Sequence, residues 1–93
     1  MITEGLSKQL IADLFKAELL NTPQYQIILT IKQIILNEIA TPNVQPSIVY
    51  NFETPQTEYD INVINMCMMV EFGFSTTNIS PYAVVINMAD FLN

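Results

Sequence analysis

EYDINVINMCMMVEFGF, residues 58–74, is the stretch on which the fold turns. Its apolar side chains fall on odd positions at Tyr59, Ile61 and Val63, then on even ones at Ile64, Met66, Met68, Val70, Phe72 and Phe74. A period of two predicts a strand. The slip between Val63 and Ile64 predicts a bulge near residues 62–65. The same period recurs at 47–53, where Ile48, Tyr50 and Phe52 alternate with Val49, Asn51 and Glu53. It returns at 82–88, with Tyr82, Val84, Ile86 and Met88 on one side and Ala83 and Val85 on the other. Thr54 to Thr57 has the length of a hairpin turn, and Ser75 to Pro81 reads as a polar loop. The expectation is a three-stranded antiparallel meander.

Upstream the period changes. Leu6, Leu10, Leu14 and Ala17, reinforced by Ile11, Phe15 and Leu20, predict a helix over 4–20. Thr3 is placed to cap it, and Glu4 and Lys8 form a favourable i,i+4 pair. Asn21 offers a stop, and Thr22-Pro23 a cap followed by proline in the first turn. Residues 23–40 hold six isoleucines between positions 27 and 39, which favour a strand on propensity. Spacing decides against it. Gln26, Thr30, Gln33 and Asn37 fall at intervals of four, three and four, one narrow helical stripe. The helix is apolar elsewhere, with Ile28, Ile31 and Ile35 expected to be inaccessible. Such a helix is expected to lie centrally or against a partner. Residues 40–47, with two prolines, form a connector.

The fold class is therefore α+β, one small domain of 93 residues: a helical hairpin over 1–40 and an acidic β region over 41–93. Residues 1–40 set three lysines against four acids, a net of −1; residues 41–93 carry five acids and no base, a net of −5, and together these make the −6 of the whole. An acidic half with three cations in all disfavours DNA or RNA, whose binding releases counterions only where lysines and arginines replace them. The helical pair could resemble a DNA-reading helix-turn-helix, with Gln26, Thr30, Gln33 and Asn37 on base edges. The cations that would hold the phosphates are missing.

Other classes fall to composition. No stretch of about 20 apolar residues predicts a membrane span, and an acid near the start argues against a secretory leader. The single Cys67 cannot form an internal disulfide, which points to a reducing interior. Asn78-Ile79-Ser80 matches a glycosylation acceptor but is discounted without a leader. The chain has no histidine, so a Ser-His-Asp triad is excluded and zinc loses its commonest nitrogen ligand. Cys67, among methionines and far from any lysine in sequence, reads as a core residue rather than a nucleophile. Glu53, Glu58 and Asp60 could gather a hard cation, but the spacing matches no calcium loop. Glycine only at 5 and 73 leaves no phosphate loop. No cofactor, metal or small-molecule substrate is expected.

What remains is surface. The chain is 51% hydrophobic and 13% charged, about half the usual charged share. Met66, Met68 and Val70 point one way from the long strand while Cys67 and Met69 point the other. Two helices cover one sheet face, so the second face wants another cover. Met66, Met68, Met69, Val70, Val84, Val85 and Ile86 are the candidate interface, and the expected partner is a second copy or another protein subunit. The expected function is a non-catalytic assembly subunit. The 13 isoleucines and 9 asparagines, as AT-rich genes tend to give, fit a small phage virion component of capsid, neck or tail. The alternatives are an acidic inhibitor that mimics nucleic acid in a basic cleft, for which nine acids are sparse, and an accessory subunit of an enzyme. The expected location is cytoplasmic, in a reducing interior, or a virion if the chain is phage-encoded.

Overall fold

The structure, a computed structural model, describes residues 4–92, and the side chains of residue 7 and of 9–92. The Thr3 cap, the Glu4–Lys8 pair and Leu6 fall outside that description. The class is α+β: a helical hairpin and a three-stranded antiparallel sheet.

The first helix comes in two pieces, α1 (Glu4–Leu14) and α2 (Lys16–Leu20). Phe15 leaves the helical region at φ −112°, ψ 18°. Phe15 N still donates to Ile11 O at 3.1 Å and Leu19 N to Phe15 O at 3.0 Å, so the chain bends without breaking. Helix α3 (Pro23–Ile39) follows with Pro23 in its first turn. The Thr22 hydroxyl does not cap α3 as expected; it donates backward to Leu19 O at 2.7 Å and closes α2 instead. The polar stripe of α3 is borne out. Ile28, Ile31 and Ile35 are 0–1% exposed, while Gln26, Thr30, Gln33 and Asn37 all face outward. The helix is nevertheless not the central one, since Leu29 and Leu36 remain on its surface.

The central element is α4 (Glu58–Phe72), and here the structure corrects the sequence reading: 58–74 is a helix, not a bulged strand. Ile61, Val63, Ile64, Asn65, Cys67, Met68 and Met69 are all buried, so nearly the whole circumference is covered. A helix apolar on most sides belongs in a core and leaves no 3.6-residue stripe to read. Its ends are specified locally. Thr57 N donates to Asp60 Oδ2 (3.0 Å) and Asp60 N to Thr57 Oγ1 (3.1 Å), a reciprocal capping box. Gly73 ends the helix at φ 86°, a left-handed conformation that other residues rarely adopt. The stretch 54–57, expected as a hairpin turn, is thus the entry to α4, and 41–93 is not an all-β region.

The sheet is built from β1 (Ser47–Asn51), β2 (Thr77–Ser80) and β3 (Ala83–Asn87) in the order β1-β3-β2. Strand β2 lies in the expected polar loop, and because α4 intervenes, β1 pairs with the last strand rather than the next one. Ser47 pairs with Asn87, Val49 with Val85, and Thr77 with Val85 from the other side. Alternation therefore sends Ile48, Tyr50, Val84 and Ile86 inward. The outer face carries Ser47, Val49, Asn51, Thr77, Val85 and Asn87, mostly polar. A 3-10 turn (Met88–Phe91) closes the described chain, with Met88 buried.

The core forms where Ile28, Ile31 and Ile35 of α3, Ile64, Cys67 and Met68 of α4, and Val84, Ile86 and Met88 meet, each under 2% exposed. Each large aliphatic so buried contributes about 1.5–3 kcal/mol. Asn65 is the polar exception on α4. Its Oδ1 accepts from Thr76 N (3.3 Å) and Thr76 Oγ1 (2.8 Å), stitching the helix to the segment that enters β2. No described helix is long and apolar enough to cross a membrane.

Candidate functional site

The seven candidate interface residues do not form one surface. Met68, Met69, Val84 and Ile86 are at most 4% exposed. They point into the chain's own core, which they share with Ile28, Ile31 and Ile35 of α3 and Ile64 and Cys67 of α4. Met66 and Val70 are half-buried on α4, and Val85 is half-buried on the outer sheet face beside Val49 and Thr77. The two-sided apolar sheet expected from the sequence is absent, and Met68, Met69 and Met88 have become core.

The longest run of exposed large apolar side chains lies on α1 and α2, with others at Leu29, Leu36 and Ile39 of α3 and at Val49, Ile79 and Tyr82 in and beside the sheet. Among their described side chains only Ala12 and Leu19 are buried. Ala12, small and fully covered, lets α1 approach α4 closely. Leu10 and Leu14, two residues before and after it, project from the far side of the helix, Leu14 at 80% exposure. Ile11 and Phe15 continue the same arc and are roughly half exposed. An amphipathic helix normally turns its apolar arc to the core; α1 turns most of it to water.

Beneath this arc runs a groove of about 230 Å³. Ile11, Phe15 and Leu19 form one wall and Tyr59, Val63 and Met66 the other, with Glu18 and Thr22 at its polar margin. Tyr59, in the first turn of α4, is 72% exposed and extends the apolar surface across the groove. Sequence reading used the apolar residues of 4–20 to predict a helix and named none of them as an interface. The available signal was excess: two adjacent i,i+4 ridges, Leu10–Leu14 and Ile11–Phe15, are more than a helix packed on one side requires. A second hollow, about 310 Å³, lies between α3 and β1, lined by Gln26, Thr30, Tyr50, Glu53 and neighbours. Its one carboxylate is Glu53, and no cation lines it.

The titratable groups inside the molecule serve packing. Tyr25 of α3 donates its hydroxyl to Glu71 Oε1 of α4, and Lys32 Nζ lies 3.5 Å from Glu71 Oε2. Accepting from Tyr25, and to a lesser degree facing Lys32, holds the Glu71 carboxyl below its ordinary range, against the opposing effect of burial. The same hydrogen bond, with burial and the adjacent carboxylate charge, pushes the Tyr25 phenol up to about 12. Burial pushes the Cys67 thiol up as well, with a smaller opposing contribution from the Thr22 hydroxyl. A fully covered thiol held protonated has neither the charge nor the access that nucleophilic chemistry needs.

The acids are not pooled. Glu38 accepts from Gln45 N (3.1 Å) and from Thr41, Glu71 from Tyr25 and Lys32, and Asp60 from Thr57 N and Gln24 Nε2 (3.0 Å). Of the trio Glu53, Glu58 and Asp60, the third is thereby committed to a helix cap. Among the described residues no three of His, Cys, Asp and Glu gather as a metal site would require. No family model, curated protein or solved structure matches the chain.

Proposed function

We propose that this chain is a non-catalytic assembly subunit that works by docking the apolar face of α1 and α2, with the groove beneath it, onto a protein surface. The observation that carries the reading is Leu14, 80% exposed in the middle of an arc of half-exposed Leu10, Ile11 and Phe15. Contiguous apolar surface beyond a few hundred Å² commonly marks an interaction site. A reducing interior, or a virion assembled there, is the proposed setting, since Cys67 is a lone, covered thiol. The acidic-mimic alternative loses support from the structure's use of its carboxylates: Glu38, Asp60 and Glu71 are tied up internally, which thins an already sparse display.

An apolar dye tests the reading. The chain, diluted until it is monomeric, should bind it with enhanced fluorescence, and Leu10→Ser with Leu14→Ser should abolish most of that signal while leaving the helical circular dichroism unchanged. Dye binding that is absent in the native monomer, or indifferent to the two substitutions, contradicts it.

A further inference from the structure

We propose that the partner is a second copy of this chain, docked through α1 about a two-fold axis near Leu14, with the two helices antiparallel. The inference rests on the association reading above and adds the identity of the partner.

A two-fold interface requires one patch that fits itself, residue i on j and j on i. The arc of α1 has that form. Its most exposed apolar side chain, Leu14, stands between Leu10 and Ile11 on one side and Phe15 and Leu20 on the other. Two such arcs laid antiparallel place Leu14 against Leu14 and bring Ile11 level with Ala17 and Leu10 level with Glu18 of the other copy.

Charge favours the same partner. The exposed rim residues Asp13, Lys16 and Glu18 carry both signs, which suits a surface meeting itself. A rim of acids alone would select a basic partner. Residues 41–93 carry −5 per copy and no base, so copies meeting through the sheet would bring like charge together. Docking through α1 uses the near-neutral part of the chain and keeps those acids apart.

The area is sufficient. A stable interface takes about 800 Å² from each partner, about 60% of it apolar, or roughly 500 Å². Side chains of this size present roughly 150–250 Å² when fully open, so five that are 43–80% exposed supply an area of that order. Those five are Leu10, Ile11, Leu14, Phe15 and Leu20.

Site-directed cross-linking tests the proposal on the whole chain, with buried Cys67 left in place. In the antiparallel pair the two residues 14 face each other, whereas the two residues 7 lie about 21 Å apart at 1.5 Å per residue. Disulfides need Cα atoms within about 7 Å. Mild oxidation should therefore convert Leu14→Cys to a covalent dimer, at least tenfold faster than Ser7→Cys, and the unmodified chain should have twice the 10.5 kDa monomer mass in solution. Equal cross-linking at both positions would overturn the antiparallel arrangement. An unmodified chain that stays monomeric, with Leu14→Cys no faster than Ser7→Cys, would overturn self-association. The dye then separates the two failures: retained binding that Leu10→Ser and Leu14→Ser abolish leaves the docking face standing with a different partner, and no binding removes both readings.

Discussion

Tyr25, Glu71, Asn65 and Cys67 show how individual side chains hold α3, α4 and the sheet in one arrangement. The Tyr25–Glu71 bond makes stability depend on pH at both ends. The phenol is raised in the folded chain, so its contribution is complete below about 10 and is lost as pH climbs toward about 12. The Glu71 carboxyl is lowered, so its contribution is present above the unfolded value of about 4.3 and is lost as pH falls below that. Denaturation midpoints across pH should show both losses, and Tyr25→Phe should remove the alkaline one. Asn65→Leu strands the Thr76 N–H and hydroxyl, a cost of about 1–3 kcal/mol that urea unfolding would register. Cys67 should resist thiol reagents in the native chain and react promptly once it is unfolded. Its role was readable from its apolar neighbours alone. The Tyr25–Glu71 pair was not, because 46 residues separate the partners and only the packing of α3 on α4 brings them together.

At the level of elements, legibility followed one-sidedness. Helix α3 has a polar stripe, so its period survives six isoleucines and its buried set was readable. Helix α4 is covered on nearly every side, and a chance alternation of Ile, Met and Val took the place of the missing stripe. Two local signals pointed to it all the same: Thr57 three residues before Asp60, and Gly73 one residue after Phe72. Length was a third, since 17 residues far exceed the usual five or six of a strand. Strand β2 escaped notice because an edge strand of Thr, Asn, Ile and Ser has little apolar pattern to offer. If the capping box specifies the start of α4, Thr57→Ala should cost about 1 kcal/mol and Asp60→Ala more, because Asp60 also accepts from Gln24 at the start of α3. Chemical denaturation of the two variants checks the order; equal or negligible losses would show that packing alone fixes the helix.

Across the whole molecule, the sequence's shortage of charge raised the expectation of a surface left to cover, but it did not say where. The sheet was the expected place. Once residues of α3 and α4 share the core with the inner sheet face, and Ser47, Asn51, Thr77 and Asn87 surround Val49 and Val85 on the outer one, the longest run of exposed apolar side chains falls to α1 and α2. The chain exposes 5917 Å², above the roughly 5,400 Å² of a folded monomer of this mass, and the open side of α1 contributes to that excess. Leu14 is the residue to change, because it is the most exposed and touches the core least. Light scattering of the native chain and of Leu14→Glu, followed from low to high micromolar concentration, tests association through this face most directly. The account predicts a mass above 10.5 kDa for the native chain and, for Leu14→Glu, a soluble folded monomer whose melting temperature, unlike the native one, does not depend on concentration. A native chain that stays monomeric and soluble throughout, indistinguishable from Leu14→Glu, would contradict it.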